Sequence, residues 1–440
     1  MIRRLPLAAT LLLLATAAGA GVRPRYGGTV TAALPQQRID PDPAGADTVA
    51  ELFVASLLHQ PLLRRTADGA LAPVLLAEVP RSNDGGRRFH LLLREGLRFH
   101  DGRPIRATDL AASLRRLDGG PWAALVLAVE RITPRSEHEV EVHLAFPYPR
   151  WPEALAEVAA SVVPANFTTD APLGAGPFRL AAPHRLEAFA GHVDGRPFID
   201  AVHLQPQPDR RAAGRLVGAG RAELGPVRGE GAPLATWIFV HPSLGMDVAG
   251  AVDRTDLVRW FVPGAAAPFD RLLPSPHHAP APAAAQGTKT PPGPVALLYD
   301  PAVEGHRQVA ERIQLRLHDR GVRVQLDPLG EVRERAAAGT FQLALVQLPL
   351  PADPGLAAAS LLHAAGRGGD ARRLLAQVGK AGSGKDEAAR ATASALAGVR
   401  GILPLYAGTE RVLPASGTRI QRGGPDLAES WLLPEPEDAP

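Results

Sequence analysis

Residues 87–117, RRFHLLLREGLRFHDGRPIRATDLAASLRRL, leave this part of the chain little freedom. Phe89, Leu91 and Leu93 alternate with other residues, the two-residue period of a strand buried on one face. Gly96, then His100-Asp101-Gly102 with Pro104, supply turn residues. Thr108-Asp109 opens a helix whose Leu110, Leu114 and Leu117 recur at helical spacing. The pattern predicts a strand–turn–helix unit. Residues 138–146, HEVEVHLAF, alternate in the same way and predict a further half-buried strand.

The chain has 440 residues, too many for one compact core, which predicts two or three lobes. It has no cysteine, so no disulfide contributes and stability must come from core burial. The first twenty residues have the layout of a secretory leader: Arg3 and Arg4, an apolar run from Leu7 to Ala17, then Ala18-Gly19-Ala20. Export and cleavage after Ala20 are expected, with no cysteine there to carry a lipid. Without Arg3 and Arg4 the formal charge of +3 becomes +1, which gives no reason to expect a nucleic-acid partner.

Further elements read out in order. Residues 26–34 predict a strand, and Thr48 to His59 a helix. Residues 235–241 predict a buried strand able to cross between lobes. Residues 274–294, rich in Pro and Ala, predict an exposed linker. VALLYD, a helix from Gly305 to Asp319 and VRVQL then form a strand–helix–strand unit of an α/β lobe. FQLALVQL (341–348) predicts a strand, and 371–399 helical pieces broken at Gly379–Gly384.

The residue order of 87–117 resembles the run LREG-x-x-FHDG-x-P-x-x-A-x-D of extracytoplasmic solute-binding proteins of ABC importers, in the peptide-binding (dipeptide/oligopeptide/nickel) family. Further likenesses are Gly27-Gly28-Thr29 in the opening strand, Asp40-Pro41, and Asp68-Gly69 with Pro73, Ala77 and Glu78. Gly174-Ala175-Gly176-Pro177-Phe178 and Asp253-Arg254 add to them. The resemblance implies an α/β, two-lobed periplasmic binding protein fold with hinge and interlobe cleft. Residues 1–20 would be the leader and 26–240 lobe one, completed by 406–440. Residues 245–405 would be lobe two. It implies a periplasmic, monomeric binding component that needs no cofactor and hands a peptide-like or other small organic solute to a membrane permease.

Other motifs carry less. GKAGSGK (379–385) has phosphate-loop spacing, but a helical pattern precedes it and Asp386 follows where Ser or Thr would meet a metal. A helix–loop–helix connection is expected. His277-His278 lacks a third metal ligand nearby, and His100 beside Asp101 reads as a turn rather than a general base. No catalytic or metal-binding residue is assigned.

Ligand choice turns on Val346 to Pro354. The family pattern GW-x-x-DY-x-DP sets an aspartate against a peptide's α-amino group. Aligning Asp353-Pro354 puts Leu350 at that aspartate's place and Gln347 at the tryptophan's. Either the alignment slips by three and Asp353 serves, or no free peptide amine is held there; structurally, Asp353 would only shape a turn. The resemblance places Thr48, Trp237, Gln347, Leu348, Leu350 and Asp353 at the cleft. The alternative reading is a secreted relative that has lost transport and acts as scaffold or sensor; an exported hydrolase lacks a nucleophile–base motif.

Overall fold

The computed structural model describes residues 25–432, apart from 83, 229–233, 247, 263–265, 278, 284–290, 409, 417–419, 423–426 and 428–429. The leader and His278 lie outside the described residues. Helices α1 (Val49–Leu58), α2 (Ala107–Arg115) and α3 (Arg210–Gly218) accompany the first half of the chain. Helices α4 (Arg254–Trp260), α5 (His306–His318) and α6 (Val332–Ala337) follow. Helices α7 (Pro354–Ala364), α8 (Gly368–Lys380) and α9 (Lys385–Leu396) complete the set.

Two six-stranded mixed sheets define two α/β lobes. In the first sheet Thr29–Leu34 runs parallel to Ala201–Pro206 on one side and to Leu224–Arg228 on the other. Its far edges are Glu410–Pro414 and the hairpin of Phe178–Ala182 with Arg185–Ala188. In the second sheet Leu234–Val240 lies between Leu343–Pro349 and Ile402–Gly408, antiparallel to both. Val295–Tyr299 and Val324–Pro328 extend that sheet in parallel on one side, and Ala266–Pro268 closes the other. The chain passes from the first sheet to the second between 228 and 234, and returns between 408 and 410. Strand Leu234–Val240 therefore pairs entirely within the second sheet.

A middle segment hangs from the first lobe. Arg88–Leu92 and Val129–Pro134 flank Glu139–Leu144 in a three-stranded sheet. Phe89, Leu91 and Leu93 are buried, as the two-residue period requires, and Leu110, Leu114 and Leu117 of the α2 segment pack with them. Asp109 anchors the start of α2: its carboxylate accepts the backbone N–H of Arg106 at 3.0 Å.

Strand alternation splits the second sheet's faces. Ile238, Leu345 and Leu403 face α5 and its neighbours in one cluster. Ala235, Trp237, Phe239 and Val346 face the opposite way, towards α7–α9. That second cluster does not end at the helices. It continues without a break into Leu125, Trp151 and Leu155 of the middle segment. Helix α7 is consequently buried over nearly its whole circumference.

Most of the described residues of the Pro/Ala-rich stretch are exposed or half-buried, with Pro274 and Ala279 as buried anchor points. Ala279 is held by Arg271 donating to its carbonyl. The adjoining Leu272 and Leu273 are also buried, and Leu272 receives the indole N–H of Trp237 at 2.9 Å.

Candidate functional site: the seam between the lobes

The predicted cleft residues fall into two groups. Trp237, Gln347, Leu348, Leu350 and Asp353 lie on or just beyond the second sheet, whereas Thr48 caps α1 in the first lobe. Trp237 pairs with Val346, and Ala235 with Leu348, so Trp237 and Leu348 share the face towards α7–α9. Gln347, paired with Thr236, points to the other face. Trp237 and Leu348 are covered by protein, Leu350 is nearly so, and Gln347 is half-buried. The Thr48 hydroxyl accepts from the Glu51 N–H and donates to Gln36 Oε1 at 2.6 Å. Beside it, Asp47 forms an ion pair across the seam with Arg333 of α6.

Asp353 is the centre of the arrangement. Pro354 at the first helical position and the Asp353 carboxylate accepting the Leu356 N–H at 3.0 Å explain why α7 starts here. The same carboxylate accepts the Tyr148 hydroxyl at 2.5 Å and the Arg150 Nε–H at 2.7 Å. Its side chain is fully buried and that of Arg150 is 10 % exposed. Arg150 also donates to Glu153 at 2.8 Å and to the Ser383 carbonyl at 3.0 Å. Glu157 accepts the Ala352 N–H at 2.9 Å, and Arg65 pairs with both Glu153 and Glu157. Tyr148, Arg150, Glu153 and Glu157 belong to the middle segment; Ala352, Asp353 and Ser383 belong to the second lobe's chain.

The electrostatics follow from burial. Tyr148 is pushed well above the usual phenol range, first by burial and then by the Asp353 charge, so its proton stays on the hydroxyl as donor. Burial works against the Arg150 charge, and Asp353 more than restores it, raising Arg150. Burial raises Glu157, with Arg65 opposing.

Sequence reasoning missed Tyr148 and Arg150. They lie about 200 positions from Asp353, at separations of 205 and 203. No local pattern announces such a contact. The sequence reading gave Asp353 only a turn; the structure makes it the cap that starts α7 and one half of the buried ion pair.

His100 lies in the first lobe, away from this seam. Its Nε2 is 3.1 Å from the Gly176 carbonyl, and the Gly174 N–H points to Nδ1 at 3.4 Å. It holds the glycine loop in place. Burial lowers it to about 4, so it is neutral at pH 7. Among the described residues no group of three or more His, Cys, Asp or Glu gathers to hold a metal. A depression of about 700 Å³ opens on the second lobe between Gly250–Thr255, Pro268–Asp270 and Arg316–Arg320. Three of its charged side chains are engaged within the protein: Arg254 donates to the Pro404 carbonyl, Arg320 to the Gly250 carbonyl, and Asp253 caps α4.

Comparison with known proteins adds the following. Residues 70–227 match the family described as bacterial extracellular solute-binding proteins, family 5 Middle. In sequence the chain is 34% identical over 133 residues to the HTH-type transcriptional regulator SgrR of Salmonella typhi, covering 28% of this chain and 23% of that protein. The chain thus spans about a quarter of the length of the curated relatives it matches. The fold is similar to the periplasmic binding protein DppA of Helicobacter pylori, in complex with peptide STSA, with TM-score 0.72 and 15% identity over 93% of this chain and 98% of that one. It is also similar to the oligopeptide-binding protein AppA of Bacillus subtilis, in complex with a nonapeptide. There the TM-score is 0.70 and the identity 15%, over 94% of this chain and all (100%) of the other.

Proposed function

We propose that this chain, a relative of the family-5 extracellular solute-binding proteins through residues 70–227, is the substrate-binding component of an ABC importer. The observation that supports this most is the shared two-lobed architecture over more than nine-tenths of the chain, with two sheets joined by two chain crossings. Lobes built this way bind by closing on a guest. Function then needs differential affinity for the closed state and no covalent step.

In this reading the protein is exported, its leader is removed after Ala20, and it works unlipidated in a periplasm as a monomer that hands solute to an inner-membrane permease. Among the described residues no helix is long and apolar enough to cross a membrane. The solute contacts are Thr48, the 347–350 backbone and Leu350, with Trp237, Leu348 and Asp353 forming the wall behind them. With Asp353 already paired to Arg150, the solute is a peptide-like or other small organic molecule that brings no unpaired ammonium to this point.

The test is a thermal-shift screen against di- and tripeptides, sugars and metal chelates. A true ligand at 100 times its dissociation constant stabilises the protein by about 2.7 kcal/mol. A shift that saturates with one chemical class supports the proposal. No shift with any class returns the scaffold or sensor reading.

A further inference from the structure

We propose that Tyr148, Arg150 and Asp353 form a latch that holds the lobes together in the empty protein, so that loading a solute requires this contact to break. The inference takes from the solute-binding reading only that the lobes separate to admit a guest.

Three observations carry it. The first is the chemistry of the contact. A fully buried carboxylate receives a phenol hydroxyl and a guanidinium at 2.5 Å and 2.7 Å, both from the middle segment. Charge-assisted bonds of this length are strong and directional. Either charge left alone in a dry seam is costly, so the contact is formed as a whole or given up to water as a whole. The second observation is the room made for it. A Cβ at Gly355 of α7 would stand 2.4 Å from the Tyr148 hydroxyl oxygen, and one at Gly379 of α8 would stand 1.8 Å from the Pro147 carbonyl oxygen. Glycine at both places lets the Pro147–Tyr148 backbone and ring seat against the two helices.

The third is that the tie extends beyond Asp353. Arg150 reaches the Ser383 carbonyl inside the glycine-rich loop 379–385, and Glu157 holds the Ala352 N–H. The loop that imitates a phosphate site is thus a docking point for Arg150. Around these polar ties the apolar cluster runs unbroken from Trp151 and Leu155 to Leu356 and Leu375. The two lobes therefore make polar and apolar contacts of their own along this seam. An empty closed state lowers the fraction of molecules open to solute, and apparent affinity falls with that fraction.

The absence of native cysteine allows a clean distance measurement. Glu130→Cys and Gln377→Cys, both exposed and outside the latch, take spin labels on the middle segment and on α8. No solute is added. The wild-type background is expected to give one narrow distance distribution. Asp353→Asn and Tyr148→Phe are expected to add a longer-distance population, with the open-to-closed ratio rising roughly tenfold or more. Arg150→Met is expected to raise it further. Two populations in the wild-type background, or an unchanged single distance in the folded Asp353→Asn and Tyr148→Phe proteins, overturns the latch. Those two variants decide the matter even if Arg150→Met fails to fold. Because no ligand is involved, either result leaves the solute-binding proposal to its own test.

Discussion

Replacing Gly174 by alanine is expected to cost about 3 kcal/mol of stability or more, because the new methyl has nowhere to go. A Cβ there would stand 1.9 Å from the Leu58 carbonyl oxygen and 2.6 Å from the His59 ring. Both neighbours are fixed. The Leu58 carbonyl accepts the Gly176 N–H at 3.0 Å, and the His59 ring is wholly buried with its Nε2 2.8 Å from the Pro41 carbonyl. Backbone cannot yield as the end of a flexible side chain does, so the loop and the end of α1 would have to part. For a cooperative unit of about 200 residues this is a fall of roughly 6–12 °C in melting temperature. Gly214→Ala is the matching control. It sits exposed in α3, where an added methyl would meet nothing within 4 Å, and a helix-interior glycine exchanged for alanine gains about 0.5–1 kcal/mol. Equal melting curves for the two variants would contradict the close approach of the glycine loop to α1.

The second large effect is acid sensitivity arising from buried histidines. His306 is 1% exposed and neither ring nitrogen has a hydrogen-bond partner, so burial alone lowers it to about 3. His59 is likewise lowered to about 3, chiefly by burial, with His100 and Arg116 nearby adding to the fall. The sign follows from proton uptake. Below about pH 6.5 the unfolded chain protonates these rings and the folded protein does not, so stability falls as pH drops from there towards the folded value. For a shift of this size the full loss is on the order of 5 kcal/mol per histidine.

Glu51, Glu157 and Glu304 are raised by burial and act in the opposite sense, gaining protons in the folded state first. Comparing a variant with wild type removes their contribution. His306→Leu is expected to be about 1–2 kcal/mol more stable at pH 7, since two unpaired buried polar atoms disappear. That advantage should widen by about 2 kcal/mol at pH 5. Denaturant unfolding at the two pH values measures it. A difference between the proteins that is independent of pH would show that His306 does not titrate with unfolding.

The particular elements show what a sequence of this kind reveals. The alternation of Phe89, Leu91 and Leu93 and the helical spacing of Leu110, Leu114 and Leu117 were legible because each element buries one side and wets the other. The strand–helix–strand unit from Val295 to Pro328 was legible for the same reason. Helix α7 was not. Wedged between the second sheet and the middle segment, it is apolar on all sides, and the periodic contrast that marks a helix vanishes. Helix α3, short and rich in arginine, was also passed over.

In the seam, Asp353-Pro354 was visible only as a turn, whereas its role as the α7 cap and its partners came with the fold. Tyr148 and Arg150 stand between Pro147, Pro149 and Trp151 in a stretch with no regular period. Their meaning depends on a surface some 200 residues away, with separations of 205 and 203. Fold class and the likeness to the family that residues 70–227 match were thus readable from local order, and the seam contacts were not.

Everything rests on a two-lobed clamp that holds a small guest without changing it. Native mass spectrometry of the protein, incubated with the solute class that gives the largest thermal shift, tests this most directly. The account predicts a one-to-one complex whose guest is released on denaturation with its mass unchanged. A guest released with altered mass, or no retained guest from any class, would contradict it.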